Sequence, residues 1–250
     1  MVRFEEAFEQ LELPEFLNGH EHNGIKIMQS DDSANTIEIA RRFQDLYDEI
    51  CSARFALINA CRENYPEYLS KDVNFKGHLW IRTQFLNNAI IWYNNSYDIF
   101  LNVLVFYYKT YDKTLTEIEV LEILGYEGQK YRNNIINAFD NEIVKNMFNE
   151  FKNSYIIETK SNKAKNPVRT WANTLKHRQM LRYEELRSNR IKVLRISKDT
   201  NIRDYFESKS KVNYDSSESI KHLSMEEVSK TLFNYHKDFI TLMKFCLQIE

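Results

Sequence analysis

The chain has 250 residues and a formal net charge of −2 at pH 7, so it is long enough to bury a sizeable core, and its net charge alone does not indicate a partner. Its five glycines and three prolines make up about 3% of the sequence, where roughly 12% is usual. Because antiparallel sheets need glycine-rich hairpins, this scarcity disfavours them and predicts an all-α protein with long helices.

The sequence carries no pattern typical of export or membrane insertion. Residues 1–6 are acidic and lack an apolar run, which argues against a signal peptide. The most apolar stretch, residues 99–108, is far shorter than the roughly 18 residues that a membrane span needs. The cysteines fall on apolar faces of predicted helices, so we expect them to be reduced core thiols: Cys51, Cys61 and Cys246. We therefore predict a soluble, cytoplasmic protein with no membrane partner.

Two long helices are predicted in the first half of the chain, after a loosely structured N-terminal extension over residues 1–30. Apolar residues recur at steps of three and four from Ile39 to Ala60, which predicts an amphipathic helix that ends near Pro66. Residues 75–108 are apolar over most of the helical circumference. This pattern is typical of a central, buried helix.

Shorter elements follow. Thr116 and Glu119 can form a capping box for a short helix that stops at Gly125. One further amphipathic helix is predicted from apolar positions that keep the helical spacing: Ile136, Phe139, Ile143, Met147 and Phe151.

The C-terminal helix has the clearest pattern. Ser224 and Glu227 can form its capping box, and its apolar positions repeat without a break as far as Ile249. Before it, the periodicity fails over residues 191–223, where we expect an irregular or β-hairpin-like basic insertion. No internal repeat is evident, so we predict a single domain over residues 1–250, folded as an antiparallel helical bundle.

The charge is unevenly distributed along the chain. Residues 160–211 contain fifteen Lys and Arg but five Asp and Glu, a net charge of +10, which leaves −12 for the remainder. Two interpretations stay open. The segment is either a surface that binds a polyanion with release of counterions, or a set of cations that neutralises the acidic helices within the fold.

Part of this basic segment is predicted to be a helix that begins at Pro167. At about 100° per residue, Arg169, Asn173 and His177 follow one another along one face. Another face carries the apolar residues that we expect to face the core: Val168, Trp171, Ala172 and Leu175. Four more side chains border the polar face: Lys176, Met180, Glu184 and Arg187.

The residue types on the polar face suit phosphate chemistry. A histidine exchanges protons near neutral pH, and an arginine can hold a phosphate oxygen with a fork of donors, while an asparagine can orient either one. These groups are adequate for the transesterification of RNA without a metal. The alternative interpretation is an ordinary solvated helix face.

The segment from Trp171 to Arg178, with Arg169 just upstream, resembles the signature helix in a subgroup of HEPN-domain proteins, most of them uncharacterised bacterial proteins. HEPN domains are α-helical bundles. Many are metal-independent endoribonucleases of toxin–antitoxin, abortive-infection and antiphage systems, in which Arg and His from two protomers form one cleft. Seven residues separate Arg169 from His177, more than in the usual HEPN pattern.

The resemblance implies His177 as general acid and base, Arg169 as phosphate clamp and Asn173 as a supporting catalytic residue. Further basic residues would bind substrate: Lys176, Arg178, Arg182 and Arg187. It also implies RNA as a partner, a homodimer, and an antitoxin or another regulatory protein. The alternative class of function is a non-catalytic interaction module whose basic segment binds RNA or an acidic protein.

No cofactor or metal is predicted. His20 and His22, with Asp31 and Asp32 further on, are too weak a pattern for a metal site. Arg132 resembles the first residue of a HEPN motif, but no histidine follows it at the right distance.

Overall fold

The computed structural model describes residues 3–11, 13, 33–66, 75–110, 128–157, 167–177, 180–189 and 222–248. The predicted all-α class is confirmed, since these residues form α-helices and only an isolated β-bridge. The helices are α1 (Phe4–Gln10), α2 (Ser33–Ala60), α3 (Phe75–Tyr107), α4 (Gly128–Ala138), α5 (Glu142–Phe151), α6 (Val168–His177) and α7 (Met225–Leu247). A π-helical turn, Lys152–Ile156, continues α5, and a 3-10 helix, Glu184–Asn189, follows α6.

The long helices α2 and α3 pack against each other in opposite directions. Near one end the Phe55 and Phe85 rings meet edge to face at 6.4 Å, and further along Asn95 donates a hydrogen bond to Glu49 over 2.8 Å. Positions on α3 rise as their partners on α2 fall, so the pair is antiparallel, as predicted for the bundle.

Helix α7 lies along another side of α3 and runs in the same direction. The rings of Phe100 and Phe239 meet edge to face at 5.5 Å, and the Tyr107 hydroxyl donates to the Leu247 carbonyl oxygen over 3.1 Å. Partner positions therefore rise together along the two helices. The bundle combines an antiparallel pair, α2 and α3, with a parallel pair, α3 and α7.

Aromatic side chains from four elements fill the core between α3, α5 and α7. Five rings meet here with centroid distances between 5.0 and 5.7 Å. Phe239 contacts Phe100, Phe151 and Tyr235, and Tyr155 contacts Phe151 and Tyr235, which also contact each other. All five are buried. Edge-to-face and tilted rings at such distances stabilise a core beyond their buried area. These aromatic side chains therefore serve to pack the core.

The expectation of a loosely structured N-terminus is wrong for residues 4–11. Helix α1 forms there and packs on α2, with Ala7 and Leu11 fully buried. The guanidinium of Arg54 lies 4.8 Å from the centre of the Phe8 ring, a cation–π contact between the two helices. Residues 1, 2, 12 and 14–30 of the predicted extension lie outside the described residues.

The single helix predicted through Ile136 and Phe151 is instead two helices, α4 and α5. Asn141 has an extended backbone, and its side chain accepts a hydrogen bond from the Ile143 amide over 2.8 Å. An asparagine in this geometry is a favoured N-cap, so α5 starts anew at Glu142. The apolar spacing continues across the break, which is why periodicity alone did not reveal it.

Other boundaries agree more closely with the sequence. Helix α7 starts after Ser224, whose hydroxyl accepts from the Glu226 amide over 3.2 Å. Helix α2 ends at Ala60, before the predicted Pro66. The predicted capping box at Thr116 and most of the insertion, residues 191–221, lie outside the described residues. None of the helices in the described ranges combines the length and apolar character needed to cross a membrane.

The aromatic core predicts a contrast between two phenylalanines of α7. Phe239→Ala should lower the free energy of unfolding by about 3–5 kcal/mol, because it opens a cavity among rings that cannot fully collapse. Phe245→Ala is the matched control, since that side chain is 46% exposed. Urea unfolding followed by circular dichroism would measure both, and equal losses in the two variants would contradict this packing of the core.

Candidate functional site

Helix α6 forms as the sequence indicates. Its first turn is closed by a hydrogen bond of 3.0 Å from the Trp171 amide to the Pro167 carbonyl oxygen. Val168 and Ala172 are fully buried, while Trp171 and Leu175 pack partly buried against the core. The predicted core-facing side of α6 is therefore confirmed. The orientation of this side determines which other side chains of α6 point toward α3.

The surface of α3 that α6 meets is polar, although α3 is otherwise the most apolar of the long helices in the described ranges. Asn95, Asp98 and Asn102 follow at i, i+3 and i+7, which places them within about 60° of one another around the helix. We call these three residues the α3 polar face. Each of them accepts hydrogen bonds from a cation on another helix.

Arg169 of α6 is bound by Asp98. Its Nη1 and Nη2 donate to the two carboxylate oxygens over 2.8 and 2.6 Å, and the exposed fractions of the two side chains are 20% and 32%. The guanidinium also lies 5.9 Å from the centre of the Tyr97 ring. Burial by itself lowers the pKa of Arg169, but the hydrogen bonds and charge of Asp98 outweigh it and raise the pKa. The ion pair ties α6 to α3 and sets the position of the guanidinium.

Lys176, almost two turns further along α6, reaches the same face. Its ammonium group donates to the Oδ1 of Asn95, and the Nδ2 of Asn95 donates to Glu49 on α2 over 2.8 Å. Burial raises the pKa of Glu49, against the opposing effects of Asn95 and Lys176. The Asn95 amide thus links the Lys176 ammonium group of α6 to the half-buried carboxyl group of Glu49 on α2.

Arg132 of α4 occupies the far end of the α3 polar face. Its Nε and Nη2 donate to the Oδ1 of Asn102 over 3.1 and 2.8 Å. Burial lowers the pKa of Arg132, and the positive charge of Arg169 lowers it further, while Asp98 opposes this. Two half-buried guanidinium groups therefore share the neighbourhood of one carboxylate.

The three predicted catalytic residues occupy different environments on α6. Arg169 is engaged with Asp98, and Asn173 is half-buried. His177 is exposed at the last residue of the helix. Among the predicted substrate-binding residues, Lys176 contacts α3 at Asn95, whereas Arg178 lies outside the described residues.

The predicted continuation of the α6 polar face beyond His177 is wrong. The helix ends at His177, and Met180 precedes an isolated β-bridge between Tyr183 and Leu223. Glu184 and Arg187 belong to the separate 3-10 helix, and the Arg187 side chain is not among those described. A pattern with a helical period cannot show where the backbone leaves the helix.

Arg182, another predicted substrate-binding residue, lies between α6 and the 3-10 helix. It is half-buried, and its buried Nε has no hydrogen-bond partner in the described part of the chain. It is therefore not a freely solvated cation, and this makes it a weaker candidate for binding RNA than Lys176.

Sequence reasoning missed Asn95, Asp98 and Asn102, and it considered Arg132 only as the start of a motif. The available signal was the occurrence of polar side chains at helical spacing within an apolar helix. In the ranges that the structure describes, no group of three or more His, Cys, Asp or Glu side chains could hold a metal ion. His20 and His22 lie outside those ranges.

No protein-family model matches the chain, and neither does any curated protein or solved structure. The HEPN resemblance therefore depends on the residues of α6 and on the helical fold.

The Asp98–Arg169 pair should show strong energetic coupling. In a double-mutant cycle of Asp98→Ala and Arg169→Ala, we expect a coupling free energy of about 1–3 kcal/mol, because removal of either partner leaves the other charge half-buried and unpaired. The matched control is the more exposed Glu142–Lys145 pair within α5, at 3.5 Å, for which about 0.3–0.5 kcal/mol is expected. Urea unfolding of all variants measures both terms. A coupling no larger than that of the control pair would show that Asp98 does not hold α6 in place.

Two half-buried carboxyl groups, those of Glu49 and Glu38, should contribute oppositely to the change of the free energy of unfolding with pH. The folded-state pKa of Glu49 lies above its ordinary value of 4.5. The folded chain therefore binds this proton more tightly than the unfolded chain. The stability that Glu49 contributes is present below pH 4.5 and is lost as the pH rises through its folded-state pKa. Subtracting the free energy of unfolding of Glu49→Gln from that of the wild type should give a difference that falls with pH in this window.

Glu38 provides the opposite case. Burial raises its pKa, but the hydrogen bonds and charges of Arg41 and Arg42 outweigh burial and hold the pKa below 4.5. Its contribution is present above pH 4.5 and is lost as the pH falls through the folded-state pKa. The wild-type minus Glu38→Gln difference should therefore rise with pH, just below the window of Glu49. Chemical denaturation across a series of pH values tests both signs, and slopes of the same sign would contradict the assignment.

Proposed function

We propose that this chain is a HEPN-like, metal-independent endoribonuclease whose catalytic groups are carried by α6. The observation that carries the proposal is the position of Arg169, fixed by two hydrogen bonds from its guanidinium to Asp98, on the same helix as an exposed His177. A guanidinium held in one orientation can meet a phosphate without first being ordered, which is the advantage of preorganised electrostatic groups.

The chemistry assigned to His177 needs a surface position. It would remove the proton of an RNA 2′-hydroxyl, so that the 2′-oxygen attacks the adjacent phosphorus and the bond from phosphorus to the 5′-oxygen breaks. The departing 5′-oxygen then takes that proton from the protonated His177, and a 2′,3′-cyclic phosphate remains. RNA is a large substrate, and the exposure of His177 at the end of α6 is compatible with its approach.

The cations on α6 would hold the substrate. A guanidinium has five N–H groups, of which Asp98 uses two, and the exposed Lys176 lies almost two turns further along the same helix. His177 lies eight residues after Arg169, which corresponds to roughly 12 Å along the helix axis. We therefore place the activity in a homodimer, in which Arg169 of one protomer and the partner's copy of the histidine face one phosphate. We propose in addition that the protein acts in the cytoplasm and that an antitoxin or a related protein regulates it.

One observation favours a second candidate function. The Asp98–Arg169 pair already satisfies a structural need, since it joins α6 to α3 and neutralises a half-buried carboxylate. This arrangement suits a non-catalytic module that binds RNA or an acidic protein through its basic segment, with Arg169 as a scaffold residue. Binding and cleavage must therefore be measured separately.

The decisive experiment compares RNA cleavage in EDTA by the wild type, by His177→Ala and by the control His222→Ala. His222 is a half-buried histidine just before α7 to which the proposal gives no role, so its replacement should leave the cleavage rate unchanged. His177 is exposed, so its replacement should leave the fold intact while the cleavage rate falls by at least roughly 100-fold, the usual effect of removing a general base. RNA binding, measured by fluorescence anisotropy, should change little. Cleavage by His177→Ala at the wild-type rate would exclude the assigned site. Binding of RNA by a wild type that does not cleave it would instead support the second candidate.

A further inference from the structure

A cavity of about 350 Å³ opens between α3, α4, α5 and α6, next to the far end of the α3 polar face. Cavities that bind small molecules measure roughly 300–1,000 Å³, so this one suits a compact ligand. One part of its lining is apolar and is formed by Leu101, Ile136, Phe148 and Ile156.

The polar part of the lining is rich in cations. Arg132, Lys152 and Arg169 all line the cavity, and among the described lining residues Asp98 supplies the one carboxylate. Asp98 is already paired with Arg169. Arg132 donates instead to the neutral amide of Asn102, and in the described part of the chain it forms no salt bridge.

The charge of Arg132, which is only partly compensated, is the argument for a ligand. Burial is the main cause that lowers its pKa, and the like charges of Arg169 and Arg42 act in the same direction, while the charge of Asp98 opposes them without restoring the ordinary value. A guanidinium nevertheless stays protonated under physiological conditions, so the charge remains and is electrostatically unfavourable. An anion inside the cavity would remove this cost and would gain charge-assisted hydrogen bonds.

The backbone next to the cavity is also unusual. Lys152 and Ile156 both come from the π-helical turn that continues α5. Such turns are rare and are frequent at functional sites, because they place side chains that a regular helix would direct elsewhere. Here the turn supplies one cationic and one apolar group to the same cavity.

We propose that this cavity binds a small amphiphilic anion, with a phosphate or carboxylate head group held by Arg132, Lys152 and Arg169 and a compact apolar body packed on Leu101 and Phe148. The site shares Arg169 with the proposed nuclease, but it does not depend on RNA cleavage. Its ligand would act as a substrate or effector of its own.

Isothermal titration calorimetry of the full chain with phenyl phosphate tests the proposal. For so small a probe, a dissociation constant on the order of 1 mM or below is expected. Arg132→Gln and Lys152→Gln should each weaken binding by about tenfold, because each removes a charged donor. Lys152→Gln keeps the test valid if loss of the Arg132–Asn102 contact unfolds the other variant.

Two control variants distinguish binding in the cavity from binding to cations elsewhere on the surface. Lys145→Gln alters a lysine of α5 that is paired with Glu142 and does not line the cavity, so it should bind phenyl phosphate as the wild type does. Lys230→Gln alters an exposed lysine of α7 that does not line the cavity, so it should also bind normally. Absence of binding to the wild type, or unchanged binding in both cavity variants, would overturn the proposal.

Three further probes examine the ligand class. Inorganic phosphate lacks the apolar body and benzyl alcohol lacks the charge, so both should bind at least about tenfold more weakly than phenyl phosphate. Equal affinity for either one would contradict an amphiphilic ligand. Benzoate carries a carboxylate on the same ring, and its affinity relative to phenyl phosphate identifies which head group the cavity prefers.

Discussion

The half-buried ion pair between Asp98 and Arg169 joins α6 to the central helix α3. A carboxylate in the middle of an apolar helix is costly unless a cation pairs with it, and α6 brings that cation with both terminal nitrogens in hydrogen-bonding contact. Once this pair is formed, Val168 and Ala172 point into the core and Lys176 reaches Asn95. The positions of the remaining α6 side chains, including the exposed His177, follow from that docking.

The same pair bears on the uneven distribution of charge in the sequence. Arg169 belongs to the basic segment and Asp98 to the acidic remainder, so part of the segregation is indeed neutralisation within the fold. Arg132 is a different case, since its partner on α3 is an amide rather than a carboxylate. The α3 polar face therefore contacts three cations, whereas Asp98 is its one carboxylate. Arg132, the cation paired with an amide, lies at the end of the face that opens into the cavity.

The long helices could be predicted because each buries a continuous apolar surface that leaves a periodic trace in the sequence. Where a local hydrogen bond decides the structure, periodicity fails. Asn141 starts a new helix although the apolar spacing continues past it, and α6 stops at His177 although suitable residues follow at helical intervals. Helix α1 was missed for a related reason, since it has only two turns and depends on packing against α2 rather than on a long pattern.

The candidate site was predictable only in part, because half of it lies on elements remote in sequence. The spacing of Arg169 and His177 is visible on one helix, but Asp98 precedes its partner by 71 residues and Asn102 precedes Arg132 by 30. A polar residue inside an apolar helix does signal that something must pair with it. Which cation pairs with it depends on how the helices dock. For this reason the pattern of α6 alone does not reveal the cation-rich lining that forms where α3, α4 and α6 meet.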